Sequence, residues 1–206
     1  ISYVNTSAAV KAHTDVVVTS SNAKQIVESF PADEKIIFGP DKNLGNYINS
    51  VTGRNMLLWD GACHVHSQFS LEKIVALKKE YPDALLLAHP ECKRDILLVA
   101  DKVGSTAALL RFATQSDCKR FIVATESGIL HEMKKSNPGK EFIPAPPDDA
   151  STCGCSECNF MRLNTMKKLY NTLKYELPEI TVDEAIAREA IKPIRRMLDI
   201  SASLGI

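Results

Sequence analysis

The sequence predicts an α/β fold made of repeated small βαβ domains with parallel sheets. Short apolar runs such as VVV (16–18), IIF (36–38) and FIVA (121–124) alternate with stretches that have the periodicity of amphipathic helices. Continuous apolar runs of this length are typical of strands buried on both faces, as in parallel sheets. Strands that alternate with helices indicate βαβ units, whose right-handed crossovers bring all the carboxyl ends of the strands to one edge.

The first domain is predicted over residues 1–68. It contains three strand–helix units, of which the second and third begin with the apolar runs IIF and MLLW (56–59). The opening stretch ISYVN is interpreted as a strand, in which side chains two residues apart point to the same face. Tyr3 and Asn5 are therefore expected on one face of this strand.

The second domain is predicted over residues 69–160, with its first boundary near residues 67–70. Its main strands are ALLLA (84–88) and FIVA, each followed by a helical stretch, and it carries a loop with three cysteines. The segment EFIPAPPDDAS (141–151) is rich in proline and acidic residues, which is typical of an irregular connection. We interpret it as a connector that leaves the domain.

Residues 161–206 are predicted to form C-terminal helices. The stretch LNTMKKLYNTLKY (163–175) has helical periodicity, and Asn164 and Thr165 are its candidate caps. Thr181 is the expected cap of the following helix, since acidic residues come shortly after it. Pro193 cannot donate a backbone hydrogen bond in a helix interior and is expected to kink or split that helix.

The composition excludes two classes of partner. The chain has 206 residues with 25 basic and 25 acidic side chains, so it has no broad basic field for nucleic acid. The apolar runs are far shorter than the roughly 20 residues of a membrane-spanning helix. The first residues do not have the charged and then apolar pattern of a secretory leader, so none is predicted, and Ile1 lies inside a predicted strand. We therefore expect that a front portion of the protein is missing from this sequence.

Polar and reactive side chains follow nearly every predicted strand. In open α/β sheets this carboxyl edge is where ligands bind, and helix N-termini at the edge favour carboxylates and phosphates. The sequence therefore predicts a small anionic substrate. The segments concerned are TSSN (19–22), GPDK (39–42), DGACHVH (60–66), HPE (89–91), GST (104–106) and TESG (125–128).

Three of the six cysteines lie within six positions, at 153, 155 and 158. A zinc ribbon would need a second cysteine pair about 15–20 residues away, and none is present. Iron–sulfur ligation is the remaining attractive interpretation, and a redox disulfide between Cys155 and Cys158 stays open. Either the loop supplies three ligands, or it supplies one and the others come from elsewhere. Cys92 and Cys118 are interpreted as small buried residues.

Cys63, in WDGACHVH, directly follows a predicted strand and precedes His64 and His66. A structural cysteine more usually lies within a strand, so Cys63 is a candidate ligand or nucleophile. In an extended backbone the two histidines would point the same way, whereas in a helix they would diverge. Both arrangements stay open on the sequence.

Two further motifs have a functional and a structural interpretation each. His89 and Glu91 in AHPE form a candidate acid/base pair, and the alternative is an ion pair that only orders a loop. Ser105 and Thr106 in VGST are candidates for binding a carboxylate or a phosphate. The alternative for this motif is an ordinary helix N-cap.

Eight motifs together resemble the quinolinate synthase family, the iron–sulfur enzymes of de novo NAD synthesis. They occur in the order of the family, cover nearly the whole chain and are specific only in combination. The motifs are YVNTSAAVKA (3–12), VTSSNA (18–23), FGPDKNLG (38–45), WDGACHVH (59–66), AHPE (88–91), VGST (103–106), VATESG (123–128) and CxxMRLNT (158–165).

The resemblance implies similar α/β domains around a pseudo-threefold axis, of which two of three are present here. Each domain of the family contributes one cysteine to a [4Fe–4S] cluster, whose open iron acts as a Lewis acid. Family members condense iminoaspartate with dihydroxyacetone phosphate to quinolinate, with loss of phosphate and water. The implied partners are the absent N-terminal domain and L-aspartate oxidase, and the implied location is the cytoplasm, or a plastid in a plant. The fragment alone is expected to be inactive.

The resemblance also assigns the cysteines. Cys63 and Cys158 match ligands of the cluster, Cys158 because it precedes the pair Met161 and Arg162. Cys153 and Cys155 would then be accessory, redox-active or structural.

The substrate-contacting positions of the family match polar residues in both predicted domains. Glu91 is expected to be the general acid/base, with His66, His89 and Tyr3 as further catalytic residues. Histidines and hydroxyls would hold the carboxylates and the phosphate. The expected substrate-binding residues are Tyr3, Asn5, Ser20, His66, His89, Glu91, Ser105 and Thr106.

Two other functions stay open on the sequence. One is a different [4Fe–4S]-dependent hydro-lyase that acts on another small anion. The other is a non-catalytic α/β module whose cysteines bind a metal only to stabilise the fold.

Overall fold

The computed structural model of the chain describes residues 1–148 and 156–206. Its first unit consists of four short strands, each followed by a helix. These elements are β1 (Ser2–Tyr3), α1 (Ala8–Lys11), β2 (Val17–Val18), α2 (Ala23–Glu28), β3 (Ile37–Phe38), α3 (Lys42–Thr52), β4 (Leu57–Leu58) and α4 (His64–Ser67).

The strands of the first unit have the order β2-β1-β3-β4. β1 pairs with β2 and β3 pairs with β4, both in parallel. The two pairs are joined beside Gly39, because Tyr3 N donates to Gly39 O at 3.0 Å and Gly39 N donates to Ile1 O at 3.2 Å. β1 therefore lies between β2 and β3.

The second unit repeats this order with four parallel strands. Its sheet runs β6-β5-β7-β8, so in both units the first strand lies between the second and the third. The predicted α/β class with parallel sheets is confirmed. The elements are α5 (Leu71–Glu80), β5 (Leu85–Ala88), α6 (Arg94–Val99), β6 (Lys102–Val103), α7 (Thr106–Gln115), β7 (Arg120–Ala124), α8 (Ile129–Ser136) and β8 (Glu141–Pro144).

β8 corrects one sequence interpretation. Residues 141–144 are a strand paired with β7, whereas the sequence predicted a connector over 141–151. Phe142 is buried and its ring stacks on Phe121 with centroids 5.4 Å apart. Burial of this ring at the edge of the sheet outweighs the irregular structure that the nearby prolines favour.

The central strands of the second unit are buried on both faces. Leu86 and Ile122 pack in one hydrophobic cluster with Phe69, whereas Leu87 and Phe121 pack in the other. Alternate side chains of a strand point to opposite faces, so both faces of β5 and β7 carry a core. This burial explains why their sequences are continuously apolar rather than alternating.

The shared strand order gives each unit a topological switch point, the place where the order of strands reverses. The chain turns in opposite directions after the first and the third strand, and ligands of open α/β sheets bind outside the carboxyl ends of such strands. These strands are β1 and β3 in the first unit, and β5 and β7 in the second. The residues that follow them are therefore the ones that the fold places best for chemistry.

The C-terminal segment contains a 3₁₀ turn (Met161–Leu163), α9 (Met166–Tyr175) and α10 (Glu184–Leu204). Thr165 caps α9, as expected, since its hydroxyl accepts from Lys168 N at 3.2 Å. The predicted cap of α10 is wrong. Asp183, not Thr181, accepts from the first free N–H groups of this helix.

α10 also runs without interruption through Pro193, so the expected split does not occur. Its buried residues are Ala190, Pro193, Met197 and Ser201, and the helix packs against α1, β2 and α2 of the first unit. Burial of this face stabilises the helix enough to offset the backbone hydrogen bond that proline lacks.

α9 differs from α10 in having no buried residue, although its sequence is amphipathic. Within the residues that the structure describes, no helix is long and apolar enough to cross a membrane.

Candidate functional site

Cys63 lies where the loop after β4 enters the single turn of α4. It is the residue before the first helical position, and its side chain is half-buried against the hydrophobic cluster that contains Val65 and Phe69. Phe69 belongs to the connection into the second unit, so Cys63 stands at the junction of the two units. The structure thus places it at the edge where the sheets end.

His64 and His66 diverge, because they lie on a helical turn rather than on an extended segment. The ring of His64 meets Phe160 edge-on with centroids 5.4 Å apart. The ring of His66 stacks on His89 with centroids 4.6 Å apart and planes 18° apart. Of the two interpretations that the sequence left open, the helical one is confirmed.

Cys63, His66 and Glu91 form a compact group of metal-binding side chains. One donor atom from each lies within 4.8 Å of the other two. His66 Nδ1 is 3.1 Å from Glu91 Oε2, and both side chains are almost fully buried. Thr125 Oγ1, after β7, lies 3.0 Å from His66 Nε2. The chain therefore brings together residues from α4, the end of β5 and the end of β7.

Two imidazole nitrogens in this region are buried without a hydrogen bond. Among the described residues, His64 Nε2 and His66 Nδ1 have no partner of adequate geometry. His66 Nδ1 lies 3.1 Å from Glu91 Oε2, which makes the two an ion pair when the imidazole is protonated. Buried polar atoms are normally satisfied, and an unsatisfied one indicates a missing ligand, ion or water.

The charges in the group shift its pKa values in opposite directions. Burial alone lowers the pKa of His66, but contacts with Cys63 and Glu91 outweigh it and raise that pKa well above 6.5. Burial, and then the charge of His66, lowers the pKa of His89 to about 4. Burial raises the pKa of Glu91, but His66 and His89 outweigh it and keep this carboxylate ionised. Ionisable side chains whose pKa values are shifted in opposite directions are typical of catalytic sites.

Tyr3 connects the first unit to this group. It ends β1 and is half-buried. Its pKa is raised by burial, and next by the negative charge of Glu91, while Ser20 opposes the shift. Tyr3, Ser20 and Glu91 therefore lie near one another, although the first two belong to the first unit. Asn5 follows β1 in an exposed bend.

Ser105 and Thr106 begin α7, after β6. Ser105 is the N-cap, and its hydroxyl accepts from Ala108 N at 3.4 Å; its role in substrate binding stays a prediction. Thr106 is the first helical residue and its side chain is exposed. β6 pairs with β5, which ends just before His89, so Thr106 lies at the same edge of the sheet as the histidine.

Cys158 packs against the same hydrophobic cluster as Cys63. Phe160, two residues after Cys158, contacts His64, which directly follows Cys63. The segments that carry the two cysteines are therefore in contact. Cys153 and Cys155 lie outside the described residues, so their predicted accessory roles stay predictions. Cys92 is buried in the core, as the sequence predicted, and its thiol contacts Ala124 O at 3.2 Å.

Three residues of the site were not assigned a role from the sequence, namely Asp41, Thr125 and Glu126. Each follows β3 or β7, the third strand of its unit. Asp41 is buried, accepts from the N–H groups of Asn43 and Leu44, and also accepts from Cys63 N at 2.6 Å. The sequence showed that these three residues follow strands, but it did not show which side chains or N–H groups they contact.

Comparison with known proteins gives a consistent result. Residues 1–199 match the model of the family described as Quinolinate synthetase A protein (NadA). The chain is 53% identical over 201 residues to a protein from Chloroherpeton thalassium named Quinolinate synthase, and 52% identical to proteins of the same name from Thermosynechococcus vestitus and from Synechocystis sp.. These alignments cover 98% of the chain but only 62% to 63% of the relatives.

Proposed function

Because this chain belongs to the quinolinate synthetase A family, we propose that it carries two of the domains of a quinolinate synthase. The proposed reaction condenses iminoaspartate with dihydroxyacetone phosphate and releases phosphate and water to give quinolinate. The chain spans about three fifths of the length of its curated relatives, at 62% in the first of them. The complete polypeptide is therefore the unit to which the activity is assigned.

The observation that carries the proposal is the group formed by Cys63, His66 and Glu91. Its donor atoms lie within 4.8 Å of one another at the edge where the strands of both units end. An acid/base pair next to a soft metal ligand suits the removal of protons and water from a small anionic substrate. This group, together with the family, supports a metal cofactor.

The cofactor proposed is a [4Fe–4S] cluster held by Cys63, Cys158 and a third cysteine from outside this chain. Thiolates are the usual ligands of such clusters. Both cysteines contact one hydrophobic cluster, and two imidazole nitrogens beside Cys63 have no hydrogen-bond partner among the described residues. With three protein ligands, the cluster supplies one iron that acts as a Lewis acid on a substrate oxygen or nitrogen.

The side chains of the chain have separate proposed roles around that centre. Glu91 moves protons, since its carboxylate is ionised, buried and next to the proton donor His66. His89 is neutral near pH 7 because its pKa is about 4, so it acts as a hydrogen-bonding group. Tyr3 orients the substrate from the first unit, where Ser20 lies near it in space and Asn5 follows two residues later in the chain. Thr106 and the start of α7 suit the phosphate or a carboxylate.

The direct test is turnover by the complete polypeptide, including any sequence beyond the 206 residues. After anaerobic reconstitution with iron and sulfide, it should convert iminoaspartate and dihydroxyacetone phosphate to quinolinate. The matched control is the same protein reconstituted without sulfide. Absence of quinolinate from a protein with full iron and sulfide would contradict the proposal and favour a hydro-lyase with another substrate.

A second possibility is a mononuclear ion held by Cys63, His66 and Glu91 that only stabilises the fold. The mixed thiolate, imidazole and carboxylate donors, within 4.8 Å of one another, would suit Zn²⁺. The ratio of acid-labile sulfide to metal separates the two. A cluster gives equal amounts of iron and sulfide, whereas a zinc site gives metal without sulfide.

A further inference from the structure

Both candidate cysteine ligands have their backbone N–H bound by a carboxylate from another part of the chain. Cys63 N donates to Asp41 Oδ2 at 2.6 Å, across 22 residues. Cys158 N donates to Glu126 Oε1 at 3.3 Å, across 32 residues. Each contact therefore joins two separate loops at the edge of a sheet.

Each carboxylate uses its other oxygen within its own turn. Asp41 Oδ1 accepts from Asn43 N at 2.7 Å and from Leu44 N at 2.9 Å, and so caps α3. Glu126 Oε2 accepts from Gly128 N at 2.8 Å, just before α8. Asp41 follows β3 and Glu126 follows β7, which are corresponding strands of the two units. The same arrangement thus occurs twice, once for each cysteine.

We propose that Asp41 and Glu126 are positioning residues for the two cysteine ligands. The inference rests on the proposed function, since it assumes that Cys63 and Cys158 bind the cluster. Each carboxylate fixes the backbone of a cysteine, and with it the direction of the thiol, without binding the metal. Hydrogen bonds from N–H to a carboxylate are charge-assisted and among the stronger ones in proteins.

Replacement by the matching amide separates this role from helix capping. Asparagine caps helices about as well as aspartate does, so Asp41→Asn should keep the cap of α3. An amide has one acceptor oxygen, and its NH₂ group would face the N–H of Cys63 as donor to donor. Glu126→Gln has the same consequence at Cys158. Each variant therefore removes the anchor of one cysteine while the local turn persists.

The experiment measures how fast iron leaves the reconstituted complete polypeptide when a chelator is added. Loss of an outer hydrogen-bond partner typically costs about 10–100-fold in metal affinity, so release should be at least about tenfold faster in Asp41→Asn and in Glu126→Gln. Asp41→Glu retains two acceptor oxygens and should release iron more slowly than Asp41→Asn.

Two variants provide matched controls. Asp183→Asn makes the same change at the cap of α10, where the carboxylate accepts from Ala185 N and Ile186 N within its own turn. Glu132→Gln makes the same change at an exposed position of α8. Both should release iron at the rate of the unaltered protein.

A general structural role would appear in the Tm of the metal-free protein. Asp41→Asn places an NH₂ group against the N–H of Cys63, so we expect it to lower that Tm more than Asp183→Asn does but to leave the protein folded at the temperature of the iron-release assay. Iron release at the unaltered rate, or a metal-free variant that is unfolded at that temperature, would overturn the positioning role.

Cys63→Ala and Cys158→Ala, measured in parallel, separate this inference from the proposed function. If these two variants keep their iron, both proposals are wrong. If they lose it while Asp41→Asn and Glu126→Gln behave as the unaltered protein, only the positioning role is wrong.

Discussion

The imidazole of His66 stacks on that of His89, with centroids 4.6 Å apart and planes 18° apart. The two rings have opposite electrostatic character. His66 faces Glu91 and holds its proton, whereas burial and the charge of His66 keep His89 neutral. The stack therefore combines a proton donor with a neutral hydrogen-bonding ring at one edge of the fold.

Glu91→Gln should abolish most of the turnover and leave the cluster in place. General acid/base groups contribute about 10²–10⁴-fold, so we expect kcat to fall by at least about 100-fold. Quinolinate formation and iron per chain are measured on the same sample. Glu72→Gln, at an exposed position of α5, is the control and should keep full activity. Turnover within twofold of the unaltered protein would rule out the acid/base role.

Cys63→Ala and Cys158→Ala should each lose the cluster, because a missing thiolate exposes an iron to water. The measurement is iron and acid-labile sulfide per chain after reconstitution. Cys118→Ala is the control, since Cys118 packs against the hydrophobic cluster on the other face of the sheet and its thiol contacts the backbone carbonyl oxygens of Asp83 and Arg120. Full iron in Cys158→Ala would show that another cysteine is the ligand.

Removal of iron by a chelator should stop quinolinate formation while the α/β fold persists. The parallel sheets have hydrophobic cores of their own, so far-ultraviolet circular dichroism should change little. Activity should return when iron and sulfide are both added back, but not with iron alone. A chelated protein that still turns over would show that the reaction does not need the cluster.

Gly39→Ala should destabilise the first unit. A Cβ at Gly39 would lie 2.6 Å from Trp59 Cβ, so the strand ends would have to move apart. Overpacking of this kind costs about 1–3 kcal/mol in the free energy of unfolding, which chemical denaturation measures.

Gly139→Ala is the matched control, because a Cβ there meets no atom within 4 Å. Its effect on the free energy of unfolding should stay within about 0.5 kcal/mol. Equal stability of the two variants would show that Trp59 can move without cost.

Much of the fold could be predicted from the sequence because the buried strands are continuously apolar. The runs at 84–88 and 121–124 are apolar at every position, and short runs of this kind between polar turns are typical of strands covered on both faces. The same local reasoning was wrong at 141–144, where prolines suggested a connector, and a split of the helix at Pro193 does not occur. In both places burial against distant residues outweighed the local preference.

The sequence by itself determined most of the strands, that reactive residues follow them, and that Cys63, His66, His89 and Glu91 are candidates for chemistry. Only the tertiary structure decided that His66 stacks on His89, that Cys63 and Cys158 pack against one hydrophobic cluster, and that Asp41 reaches Cys63. The physical reason is how far apart along the chain the interacting residues are. Strands and their polar ends are local patterns of side chains, whereas a hydrogen bond across 22 residues depends on where the sheets place two loops.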